Sequence, residues 1–126
     1  MGDKIELTGD FRGSIVNIKS TLENVTQSVG EIRGGDEDAR KELQKLVQQL
    51  SKELQKAPPG KKEQVEAVAE TAKALVDQAK GEKPNKTMLQ ITGEGLKQAA
   101  KNVGDVMPAV ISIAAQIVMA IGKLVP

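Results

Sequence analysis

The sequence predicts a mainly α-helical protein: a bundle of four to five helices around an apolar carboxy-terminal helix, preceded by a short β segment of one or two strands. Three observations carry this. Residues 106–122 contain no charged side chain. Upstream of them, three stretches place aliphatic residues three and four apart, the spacing of one face of an α-helix. Ala57-Pro58-Pro59-Gly60 and Gly81-Glu82-Lys83-Pro84 separate those stretches, and proline and glycine end helices. The whole chain, residues 1–126, reads as one domain, with 1–19 extended and 20–126 forming the bundle. At this length about two-thirds of the unfolded surface can be buried.

In the opening stretch Ile5 and Leu7 alternate with Lys4, Glu6 and Thr8, and β-branched Ile15, Val16 and Ile18 follow Gly13. Thr8-Gly9-Asp10 between them is turn chemistry. Ser20-Thr21-Leu22-Glu23 has the capping-box pattern, which predicts a helix from about Thr21 to Ile32. A second reading starts this helix near Ser14, because Ile15, Ile18, Leu22, Val25, Val29 and Ile32 are spaced 3-4-3-4-3, a heptad seam. The Val, Thr and Asn content favours the strand followed by a capped helix.

Arg33-Gly34-Gly35 ends the first helix, and Asp36-Glu37-Asp38 sets acids at the positive end of the second. The second helix runs to about Lys56, with Leu43, Leu46, Val47, Leu50 and Leu54 on one face and Asp36/Arg40 and Glu37/Lys41 as i,i+4 ion pairs. The third, about Lys62–Lys80, carries Val65, Val68, Ala72, Leu75, Val76 and Ala79. The short connection predicts that these two helices pack as antiparallel neighbours. A fourth helix covers about Asn85–Val103, with Met88, Leu89, Leu96, Ala99, Ala100 and Val103 on its apolar face and Gly93 and Gly95 marking a close approach or a kink. Pro108 suits the first turn of the fifth. On that helix Asp105, Ser112, Gln116 and Lys123 share a narrow polar arc, and Val110, Ile113, Ile117 and Ile121 belong to the broad apolar remainder.

The composition excludes several chemistries. Without cysteine or histidine there are no disulfides, thiolates, imidazole bases or common zinc sites. Eighteen basic and seventeen acidic residues are interspersed, and Phe11 is the single aromatic, so neither a phosphate-binding field nor a base-stacking platform is present. Gly93-Glu94-Gly95 followed by Leu96-Lys97 is not a phosphate loop. Glu66 and Glu70, near Lys62 and Lys73, read as surface ion pairing, and Asp105 beside Gly104 as loop and cap chemistry. No nucleophile with a base is evident, and no catalytic, cofactor or metal residues are expected. The charged opening MGDKIELTGD does not have the form of a signal peptide, so a cytoplasmic protein is expected and the Asn24 and Asn85 sequons read as chance.

Gly9-Asp10-Phe11-Arg12-Gly13, the following Ile15-Val16-Asn17-Ile18 and Ser20-Thr21 resemble the opening of a group of small bacterial proteins, mostly cyanobacterial. In that group a GLKQAA-like stretch, here Gly95–Ala100, and an apolar final helix follow. The resemblance covers most of the chain, carries no catalytic motif, and implies an adaptor or effector-associated module of signalling or defence. The expected function is protein–protein interaction, with a protein partner or a second copy held through Ile5, Leu7, Phe11, Ile15 and Ile18. The alternative is a membrane-perturbing, pore-forming-like effector, which the plan also resembles. It would release the final helix, with Val110, Ile113, Ile117 and Ile121, into a membrane when active.

Overall fold

The computed structural model describes the backbone of residues 2–125, and the surroundings of Gly13 and the side chains of residues 15–125. Five α-helices follow in order: α1 Gly2–Val29, α2 Glu37–Leu54, α3 Lys62–Ala79, α4 Lys86–Lys101 and α5 Pro108–Leu124, with a 3-10 turn at Pro59–Lys61. No strand occurs among the described residues.

The expected β segment over residues 1–19 is therefore corrected. The residues read as strands belong to α1, and Ser20, expected to cap a later helix, sits exposed in mid-helix. The reason lies in packing. Ile18, Leu22, Val25 and Val29 are all buried along one line of α1, which faces both α2 and α3. Burial of four large aliphatics outweighs the few tenths of a kcal/mol per residue by which β-branched residues disfavour a helix.

The end of α1 is built by hydrogen-bond accounting. The Gly30 N–H bonds Gln27 O at 3.1 Å, one residue short of the α-helical partner, which frees the Thr26 carbonyl. Gln44 of α2 donates its side-chain amide to that carbonyl at 3.1 Å. Arg40, expected to pair with Asp36, instead donates to the carbonyls of Gly34 and Gly35, both at 3.1 Å. Asp36 is thereby left to cap α2, accepting from the Ala39 N–H at 2.7 Å. Gly35 has φ +73°, and a Cβ there would collide with Leu124 at the end of α5. The loop can pass over α5 only with glycine at this point.

The packed pairs are α1 with α2, α1 with α3, α3 with α4, α4 with α5, and α2 with α5. The helices thus close a ring in the order α1, α2, α5, α4, α3. Among the described residues α2 with α3 is not a substantial pair, which corrects the expected hairpin. The apolar line of α1 lies between them and takes up the faces they would have shared.

Direction follows from paired residues. Gln44 opposite Thr26 makes α1 and α2 antiparallel, whereas Lys80 reaching Ser28 and Glu31 makes α3 parallel to α1. Thr92 donates to Gln78 at 3.0 Å, so α4 runs against α3.

The final helix is one member of this ring rather than its axis, which refines the expectation of a bundle gathered around it. Val110, Ile113, Ala114, Ile117, Ala120, Ile121 and Leu124 are buried, while Ser112, Gln116 and Lys123 face outward together with Met119. Pro108 stands in its first turn as expected. Asp105 does not cap it but pairs with Lys61 at 3.3 Å, tying the α4–α5 turn to the start of α3.

Two outcomes are expected. Ile117 is fully buried, so Ile117→Asp places an unpaired carboxylate in the core and should cost several kcal/mol, comparable with the whole stability of a domain, about 5–15 kcal/mol. Exposed Gln116, 3.1 Å from Ser112, should accept glutamate within about 0.5 kcal/mol. Thermal melting of the two variants would show no difference if the α5 face were not core.

The second concerns Lys80, whose pKa is raised from its usual 10.5 by a hydrogen bond from its ammonium to Glu31 and by the charges of Glu31 and Asp77, against a smaller opposing effect of desolvation. This interaction stabilises the fold fully below pH 10.5 and is lost as pH rises through the higher folded value. Lys80→Met should therefore lower stability at neutral pH and flatten its alkaline decline. An alkaline limb of unchanged slope in denaturant titrations would exclude this role for Lys80.

Candidate functional site

The seam between α4 and α5 is where the ring opens to a cleft. Midway along it the two helices are close: a Cβ on Gly93 would lie 3.1 Å from Val118 Cγ1. A bulkier residue than glycine there would push the helices apart. Towards the start of α4 and the end of α5 the helices leave a cleft of about 510 Å³. That volume is within the range of roughly 300–1,000 Å³ found for small-molecule sites.

Its floor is Leu75 of α3, reached between the two helices, with Ile121 and Leu89 beside it, all buried or nearly so. Half-buried Val118 of α5 and Val125, just past its end, form one wall. The rim is Lys86 and Gln90, one turn apart on α4, and Gly122 on α5. Among the described residues no carboxylate side chain lines the cleft, and Lys86 has no ion-pair partner.

Elsewhere the surface is charged, with single apolar side chains standing out. Val16, Ile91 and Met119 are each about 60% exposed or more, at 62%, 59% and 63%, and Met88, Val106 and Ile111 are exposed to a lesser degree. A smaller cavity of about 240 Å³ near Arg33 and Glu82 is spanned by their ion pair at 3.6 Å. Among the described residues no group of three acids, histidines or cysteines is placed to hold a metal ion.

The residues singled out by sequence fall as follows. Ile5, Leu7 and Phe11 lie outside the described side chains. Ile15 is half-buried, and Ile18, at 2% exposure, belongs to the chain's own core rather than to a free surface. Val110, Ile113, Ile117 and Ile121 are core residues, and among the described residues no helix is long and apolar enough to cross a membrane. Glu66 and Glu70 lie beside Asn17 and Thr21 at the α1–α3 seam. The cleft residues Lys86, Gln90 and Gly122 drew no attention in the sequence. The one available signal was the i,i+4 placement of a cation and an amide bordering an apolar face.

Compared with protein-family models, curated proteins and solved structures, the chain matches none.

The close approach at Gly93 yields a further expectation. Gly93→Leu should destabilise by about 1–3 kcal/mol through overpacking against Val118, measured by chemical denaturation. An unchanged midpoint would mean that the two helices can separate there at no cost.

Proposed function

We propose that this protein is a non-catalytic interaction module that self-associates through the first half of α1. One observation carries the reading: α1 is 28 residues long, while α2 and α3, which flank it, have 18 each. At about 1.5 Å per residue this is about 42 Å of helix against about 27 Å. Lys19 lies level with Gln55 at the end of α2, and Asn17 beside Glu66 in the first turns of α3. Cover fades at the same level. Ile18 is buried, Ile15 half-buried, Val16 exposed, and a Cβ on Gly13 would meet open space.

The apolar spacing does not stop there. Leu7 and Phe11 precede Ile15 at intervals of four, in register on a helix with Ile18, Leu22, Val25 and Val29. An apolar seam longer than the faces that cover it is a reason for a second copy, since two such helices bury it against each other. A self-assembling module of this kind suits an adaptor in bacterial signalling or defence, the role implied by the resemblance of its opening.

Light scattering across a tenfold concentration range should show assembly of the parent chain and a monomer for the double variant Leu7→Glu/Phe11→Glu, with equal helix content by circular dichroism. A parent that stays monomeric throughout, or a variant that assembles equally, would end this reading.

A further inference from the structure

We propose that the α4–α5 cleft binds a small amphiphile: a single alkyl chain bearing a monoanionic head, a carboxylate. Three features point to that chemistry. The interior is wholly aliphatic, with Leu75 and Ile121 at the floor and Val118 and Val125 along one wall. Such a lining offers an alkyl body nothing but dispersion contacts and the removal of apolar surface from water. From Val118 to the end of α5 the wall is about 9 Å long at about 1.5 Å per residue, a length that a medium alkyl chain can span.

The rim supplies the polarity. Lys86 and Gln90 are successive turns of α4 on the same side of the cleft, and within the chain neither makes an ion pair or hydrogen bond among the described residues. One ammonium and one neutral amide match a head with a single negative charge. Among the described residues no acidic side chain lines the cleft to oppose an anion.

The third feature is Gly122. Glycine weakens a helix relative to alanine, and here the backbone has an ordinary negative φ, so no turn requires it. A Cβ at this position would meet nothing within 4 Å, so no neighbour within the chain requires it either. Its surroundings contrast with those of Gly93, which Val118 crowds, and of Gly35, which Leu124 crowds. What glycine does at 122 is leave the mouth of the cleft open.

The test is calorimetric titration of the full chain with decanoate below its micelle concentration, beside decanol and decyltrimethylammonium as neutral and cationic counterparts. Decanoate should bind saturably at one per chain, with the cationic amphiphile about tenfold weaker or worse, because repulsion by Lys86 adds to the lost attraction. Lys86→Gln should weaken decanoate by roughly threefold to tenfold, the scale of one partly exposed ion pair, and leave decanol unchanged. Gly122→Leu should fill the cleft and abolish saturable binding of all three, with a melting temperature no lower than that of the parent. The proposal is overturned if Gly122→Leu binds decanoate as the parent does, or if the cationic amphiphile binds as well as decanoate. It also falls if decanoate does not bind; methyl resonances of Leu89 and Val118 that shift with protein concentration would then identify a second copy as the occupant.

Discussion

The fold depends on a single line of four side chains, Ile18, Leu22, Val25 and Val29, wedged between two helices that the chain would otherwise pair directly. Ala57-Pro58-Pro59-Gly60 is too short to let α2 and α3 drift far apart, yet with α1 between them they no longer share a face. Each must complete its burial elsewhere. The remaining apolar surface of α2 goes to α5 and that of α3 goes to α4, and the contact of α4 with α5 then closes the ring. Every later seam follows from that first displacement.

Among the described residues the core holds no aromatic side chain, and this shapes its geometry. Small residues occupy much of the inner faces: Ala69, Ala72 and Ala79 on α3, Ala99 and Ala100 on α4, Ala114 and Ala120 on α5. Helices packed through alanine and glycine approach closely where those residues meet a methyl group, as at Gly93 and Val118. Where a larger side chain holds the backbones apart without filling the gap, space is left. The α4–α5 seam shows both behaviours within a few turns, tight at Gly93 and open at Gly122.

Much of this was legible in the residues. Helix boundaries at Asp36, Lys62, Asn85 and Pro108 followed from caps and proline stops, whose effects are local and survive any tertiary arrangement. The buried faces of α2 and α3 followed from 3–4 spacing, whereas on α4 and α5 that reading also took in Met88, Ile111 and Met119, which are exposed. What was not legible was anything that depends on a partner distant in sequence. Ser20 and Glu23 satisfy the capping-box pattern, yet burial of Leu22 and Val25 carries the helix straight through them. Arg40 had an acid at the favourable spacing and bonds carbonyls of the preceding loop instead, because the fold leaves those carbonyls without other partners. The cleft could not be foreseen, since its floor comes from α3 and its walls from helices beginning at residues 86 and 108.

The ring order also governs how the chain reaches its folded state. The seams α1–α2, α3–α4 and α4–α5 join helices consecutive in sequence, whereas α2–α5 joins residues separated by two whole helices and three connections. Closing so long a loop costs entropy that grows only slowly with its length, but the cost must be met before the contacts that repay it exist. The seam with the longest loop to close is the one between α2 and α5, at whose end Leu124 lies under the Gly35 loop. On a ribosome it cannot close before α5 has left the exit tunnel. Until then the part of α2 that packs on α5 stays uncovered, and a nascent chain stalled after α4 exposes that apolar surface to aggregation.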